Sequence, residues 1–199
     1  MFNTDYQEHI GCAGLARKKC LDKGFVVWLT GLPGSGKTTI ATKVKEVLEN
    51  RGYRVELLDG DWARKTISLG AGFTREERKI HLHRVAWVAR LLARNGVIVL
   101  ASFVSPYRDV RATVRRIIEE EAPFIEVYVK ASIDTVMKRD PKGLYARALR
   151  GEIKHMTGVD DPYEPPLNPD LTLVTDSKPV EENVRELLDH IKARFNLDI

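Results

Sequence analysis

An α/β fold of three layers is what this sequence predicts: a central, mostly parallel five-stranded sheet, helices on both faces, and a lid loop toward the C-terminal end. Two observations predict it. Short, near-continuous apolar runs alternate with longer amphipathic segments, the pattern of strands buried on both faces and joined by helical crossovers. The first apolar run leads straight into a glycine-rich loop, Gly31-Leu32-Pro33-Gly34-Ser35-Gly36-Lys37-Thr38, and a helix-like stretch follows from Thr38 to Asn50.

That loop matches G-x-x-x-x-G-K-[ST] position for position, and strand, loop and helix in this order define the P-loop NTPase fold. The elements follow in turn. Residues 1–24 are polar and mixed and read as an N-terminal arm or short helix ahead of one domain at 25–199. Phe25–Thr30 is the first strand. Arg54–Asp59, Val97–Ser102, Ile125–Lys130 and Leu171–Thr175 are the others, each of a length suited to a doubly buried strand. One helix is well defined: Thr74-Arg75-Glu76-Glu77 forms a capping box, Ile80, Leu82, Val85, Val88, Ala89 and Leu92 recur at helical spacing, and Asn95-Gly96 closes it. Pro106 suits the first position of a further helix, with Ser105 as its cap. The stretch from Gly151 to Pro169 is too long for a plain connection and reads as a functional loop, part of a lid at about 142–169.

Composition narrows the function classes. At 199 residues, 43% hydrophobic and 30% charged, the chain has the balance of an ordinary globular domain with a proper core. A net charge of +4 suits polyanionic small molecules, and its scatter along the helices argues against a nucleic-acid partner. No stretch approaches the roughly 20 apolar residues that span a membrane, and no signal-peptide core is visible, so a cytoplasmic protein is expected. The two cysteines, Cys12 and Cys20, lack metal-site spacing and read as packing residues, with a disulfide or redox role as the minority reading.

Chemistry gathers at the strand ends. The loop glycines let backbone N–H groups point at an anion, Lys37 reaches the β- and γ-phosphates, and the Thr38 hydroxyl is placed to ligate Mg²⁺. The second strand ends at Asp59-Gly60-Asp61. Opposite a phosphate loop, two such carboxylates serve the water shell of Mg²⁺ and accept a proton from an attacking hydroxyl; as plain structure they would be a turn residue and a helix cap. The third strand ends at Phe103-Val104-Ser105-Pro106, facing the same cleft. Arg64, Arg75, Arg78 and Arg84 bring positive charge, with Arg78 and His81 one turn apart on a shared face. Arg139 and Lys142 open the lid region, either to close over transferring phosphates or as a basic turn.

Taken together these residues resemble the adenylylsulfate kinases (APS kinases), which move the γ-phosphoryl of ATP to the ribose 3′-hydroxyl of adenosine 5′-phosphosulfate (APS) to give PAPS in sulfate assimilation. The likeness runs over Gly31–Thr39, Leu58–Asp61, Gly72–Arg78, Phe103–Arg108, Arg139–Tyr145 and Gly151–Glu164, and few kinases combine a P-loop with D-G-D, S-P-Y-R, K-G-L-Y and T-G-x-D. The resemblance implies that Gly31, Leu32, Pro33, Gly34, Ser35, Gly36, Lys37, Thr38 and Thr39 hold ATP, with Arg139 near its base. It implies Mg²⁺ on Thr38, with Asp59 through water, and Asp61 as base or orienter at the acceptor hydroxyl. Arg64, Arg78 and Lys142 would contact the phosphosulfate or ribose, Phe73 would stack on the acceptor adenine, and Val104, Ser105 and Leu144 would line that pocket. Ser105 stands where some members carry a phosphorylatable serine, and a homodimer is a family-level expectation.

Three positions depart from the family pattern: His81 where asparagine is common, His83 where arginine is, and Met156 where an aromatic precedes Thr157-Gly158. His81 can donate or accept like an amide and would add a pH dependence, while Met156 can cover an adenine face. The departures at His81 and Met156 leave open a kinase of the same fold acting on another small nucleotide or sugar, and a nucleotide-binding module without transfer activity is the second alternative. Intact Lys37, Thr38, Asp59, Asp61 and Lys142 argue against the second.

Overall fold

Alternation along the first strand sets the layers. In the computed structural model, which describes Lys19 and residues 21–199, β1 (Val26–Thr30) is buried along its whole length. Val27 and Leu29 point into one apolar core, Val26 and Trp28 into another. Helices α1 (Lys37–Asn50) and α7 (Val180–Phe195) cover the first face, and α3 (Arg75–Arg94) and α4 (Arg108–Glu119) the second. The remaining strands are β2 (Val55–Asp59), β3 (Ile98–Ser102), β4 (Phe124–Lys130) and β5 (Leu171–Val174), in the order β2-β3-β1-β4-β5. Every neighbouring pair is parallel, so the sheet is parallel throughout rather than mostly so. Each strand lies within one residue of its expected bounds at either end. Most of the expected N-terminal arm, with Cys12 and Cys20, lies outside the described residues.

Parallel strands bring all five carboxyl ends to one edge, the edge where ligands gather in open α/β sheets. Short helices α2 (Gly60–Lys65), α5 (Ile133–Arg139) and α6 (Leu144–Leu149) stand there. Above the phosphate loop, Val136, Tyr145 and Met156 form a small separate core, against which Leu32, Leu144 and Ile153 pack.

Two local expectations need correction. Ile80 fits the α3 periodicity but is half exposed, because the face buried against β3 and α4 runs through His81, Leu82, Val85 and Ala89. Ser105 does not cap α4. The helix starts later, at Arg108, with Tyr107 in the cap position and no side-chain cap of its own. Ser105 instead turns left-handed (φ 38°), a conformation costing roughly 1–3 kcal/mol for a non-glycine residue. The free N–H of Arg108 donates to the Glu164 carboxylate across the fold (2.8 Å).

Candidate active site

The glycines of the phosphate loop are there for conformation and for room. Gly36 sits at φ 96° where α1 begins, and a Cβ on Gly31 would come within 2.4 Å of the Val129 carbonyl oxygen. Inside the loop Lys37 is buried. Its Nζ donates to the carbonyls of Gly31 (2.9 Å) and Leu32 (2.8 Å) and to the Ser35 hydroxyl (3.4 Å). Burial first, then the charge of Lys142, lowers its pKa to about 7. An incoming phosphate therefore meets an ammonium that must leave three oxygens of its own loop and is only partly protonated at neutral pH.

Thr38 and Asp59 flank one serine. The Thr38 and Ser102 hydroxyls share a hydrogen bond (3.0 Å), and strand register sets Ser102 directly beside Asp59. Asp59 Oδ1 accepts from the backbone N–H groups of Asp61 and Trp62 (2.9 Å each), so this residue caps α2 while also lining the cavity. Asp61, in the first turn of α2, accepts from the Lys142 ammonium across the mouth of the cleft. Their side chains are 70% and 60% exposed, so water screens the pair and it opens at little cost.

One cavity of about 1010 Å³ runs from the phosphate loop past these carboxylates to the lid. Pro33 through Thr39, Asp59, Asp61, Arg139 and Lys142 line it, and so do Arg64, Phe73, Arg78, His81, Val104, Ser105, Leu144 and Met156. Gly31 and Leu32 do not: the Gly31 carbonyl holds Lys37, and Leu32 packs into the lid core. Arg75 and Arg84 are also absent from its walls. Arg75 pairs with Asp109 (3.0 Å) over the Tyr107 ring, and Arg84 is exposed on α3.

The far end of the cavity is cationic and aromatic. Arg64 Nη1 donates to the carbonyls of Ala71 (2.9 Å) and Gly72 (2.8 Å), which sets its guanidinium 4.2 Å from the centre of the Phe73 ring. One face of that half-exposed ring is thus taken by a cation. Arg78, nearly buried, donates to the carbonyls of Phe73 (2.8 Å) and His155 (2.6 Å) and lies 3.7 Å from Asp161. It ties the Phe73 loop to the lid. Burial lowers the pKa of both arginines.

His81 behaves otherwise than its type predicts. It is 2% exposed, edge-on to Phe103, with no hydrogen-bond partner for Nδ1. Burial, then Arg64, Arg78 and Arg84, push its pKa down to about 4. The ring is neutral at physiological pH, so the expected pH switch there is lost. His83 lies outside the cavity, its pKa lowered by burial and by Lys79 and Arg116.

Sequence reading missed the residues that hold these groups in place. Thr175 Oγ1 donates to the Ser35 carbonyl (3.0 Å), and Arg139 donates to the Thr175 carbonyl (2.5 Å), fastening the end of β5 to the phosphate loop. The Tyr145 hydroxyl donates to the Pro33 carbonyl (3.0 Å), coupling the lid to the same loop. Tyr107 donates to the Asp161 carboxylate (2.7 and 2.9 Å), and burial, then this bond, raises its pKa to about 12. For Thr175 the signal available beforehand was a hydroxyl residue at the carboxyl end of a strand, while Tyr107 and Tyr145 lay within the S-P-Y-R and K-G-L-Y stretches without a role of their own.

Comparison with known proteins agrees with this geometry. A family profile for adenylylsulphate kinase matches residues 23–174. A probable adenylyl-sulfate kinase of Aeropyrum pernix is 65% identical over 88% of this chain and 96% of its own length. The adenylyl-sulfate kinase of Halothermothrix orenii is 49% identical over 89% and 94%. Among solved structures, the APS kinase of Mycobacterium tuberculosis in complex with AMPPNP and APS superposes with a TM-score of 0.83 at 39% identity, covering 85% of this chain and 98% of that one. The phosphate loop, the paired aspartates and the cationic pocket thus stand in a chain that belongs to the adenylylsulphate kinase family.

Proposed function

We propose that this protein transfers the γ-phosphoryl group of ATP to the ribose 3′-hydroxyl of APS, giving PAPS for sulfate assimilation. The observation that carries this reading is the single cavity with a phosphate loop at one end and a pocket of Phe73, Arg64, Arg78 and His81 at the other. ATP would lie along Pro33–Thr39, with its base toward Arg139, and APS along the Phe73 end. Asp61 would stand between them. It would accept the proton of the 3′-hydroxyl once Lys142 exchanges its carboxylate for substrate oxygens.

Thr38 and Asp59 supply a hydroxyl and a carboxylate, hard oxygen donors suited to Mg²⁺. Among the described residues no group of three or more His, Cys, Asp or Glu could hold a metal ion, which fits an ion carried on the ATP phosphates rather than in a protein cage. Thr38 and Asp59 would hold Mg²⁺, which would supply charge neutralisation to the ATP phosphates. Lys37 would complement that charge, and lid closure by the α5–α6 region would exclude water. The Ser105 hydroxyl accepts from the Trp28 indole N–H (3.1 Å) and faces the Phe103 carbonyl (3.3 Å). That engagement favours direct in-line transfer over a phosphoserine.

Asp61→Asn tests the central assignment. It should lower kcat by about 10²–10⁴-fold with ATP affinity unchanged, and an unaltered kcat would remove Asp61 from the acceptor site. No helix among the described residues is long and apolar enough to cross a membrane, and use of ATP as donor supports a cytoplasmic setting. The exposed apolar stripe Ile80, Trp87 and Leu91 on α3 supports a homodimer. Sedimentation should then give twice the chain mass.

A further inference from the structure

The acceptor wall is held by a residue that does not touch the cavity. Arg111 lies on α4 behind Ser105 and is 3% exposed. Its guanidinium reaches three partners on three parts of the chain. Nη1 donates to the Ser105 carbonyl (2.7 Å), Nη2 to the Glu164 carbonyl (2.7 Å) and Nε to the Glu126 carboxylate of β4 (2.8 Å). Ser105 lines the pocket, whereas Glu164 lies seven residues beyond Thr157, the last lid residue on its wall. Glu164 N–H donates to the Pro106 carbonyl (2.9 Å), and Arg108 donates to the Pro165 carbonyl (2.7 Å), zipping the segments together just beyond the fork.

A buried ion pair is weak evidence of a stabilising role, because an apolar pair of equal volume often serves as well. An apolar pair cannot hold two carbonyls at a fixed separation, and here one of those carbonyls belongs to a strained residue. Around the left-handed Ser105 turn, Thr30 Oγ1 donates to the Val104 carbonyl (2.8 Å), the Trp28 indole N–H to the Ser105 hydroxyl and Arg111 to the Ser105 carbonyl. We propose that Arg111 is a positioning residue for the acceptor, its planar fork tying the Ser105 turn to the returning lid segment at Glu164 and so fixing the Val104–Ser105 wall of the acceptor pocket. The proposal rests on the assignment of Val104 and Ser105 to that pocket.

Three variants test it, read by separate KM values for APS and ATP alongside thermal unfolding. Arg111→Lys keeps the charge facing Glu126 but replaces the fork by a point donor. KM for APS should rise about tenfold or more, as a wall displaced by a fraction of an ångström allows, with KM for ATP within about twofold. Arg111→Met with Glu126→Gln removes both charges of the pair. It should unfold near the wild-type temperature yet keep the raised APS KM, a split that a purely structural residue would not produce. An unchanged APS KM, an equal rise in both KM values, or failure of both variants to fold would overturn the proposal. Phe73→Ala, measured beside them, separates the two levels. If it leaves the APS KM unaltered, the pocket assignment falls and takes the clamp with it. If it raises that KM while Arg111→Lys does not, only the clamp falls.

Discussion

Lys37 and His81 are both cations by type that this fold holds near or below neutrality, and the signs of their pH effects follow. Phosphate binding needs protonated Lys37, whose value in the free protein is about 7. ATP affinity should be flat at lower pH and weaken by up to about tenfold per pH unit above 7, until the raised value in the complex is reached. Titration calorimetry at saturating Mg²⁺ checks this; Lys37→Ala should abolish both the slope and phosphoryl transfer. His81 is neutral in the fold down to about 4 against an ordinary 6.5, so the unfolded chain takes up the proton first. Its contribution, of order 2–3 kcal/mol, is fully present above pH 6.5 and lost as pH falls toward 4. His81→Asn should remove most of that acid sensitivity in urea melts, and an unchanged profile would show that the ring is not desolvated. At this scale the phosphate loop was legible because its chemistry is local, confined to eight consecutive residues. The Thr38–Ser102 bond and the neutral state of His81 were not, since each depends on partners brought together only by the sheet and by α3.

Elements were legible where caps and periodicity agree. Thr74 and Glu77 form the reciprocal box that their spacing predicts, with Thr74 N–H donating to Glu77 (3.0 Å) and Glu77 N–H to Thr74 Oγ1 (3.4 Å). Because α3 carries Arg78 and His81 into the cavity, its first turn has a functional load. Thr74→Ala should cost about 1 kcal/mol, seen as a lower urea midpoint at unchanged m-value. The start of α4 was misread because Ser-Pro is a strong local signal for a capped helix. What overrides it is long-range: the Trp28 indole and the Arg111 fork draw Ser105 inward, and Glu164 supplies the missing cap from the lid segment. Ile80 misled for a related reason. Periodicity gives the spacing of a buried face but not its edges, which the packing of α4 decides.

Across the whole molecule, parallel order β2-β3-β1-β4-β5 puts the phosphate loop on the central strand with Asp59 two strands away, and the lid closes the remaining side. Alternating apolar runs were enough to read that architecture, and the strand ends were enough to gather most of the site. The acceptor is the part that sequence left open, because its pocket is shaped by His81, Met156 and the lid contacts of Arg78 rather than by a contiguous motif. The measurement that decides it is Mg²⁺-dependent ATP turnover with APS, AMP and a panel of nucleosides and sugars as acceptors, with the phosphorylation site of the product located by ³¹P NMR. Turnover confined to APS, with the new phosphate on the 3′-oxygen, is the result expected. Tight ATP binding with no APS turnover, or faster turnover of another acceptor, would contradict it.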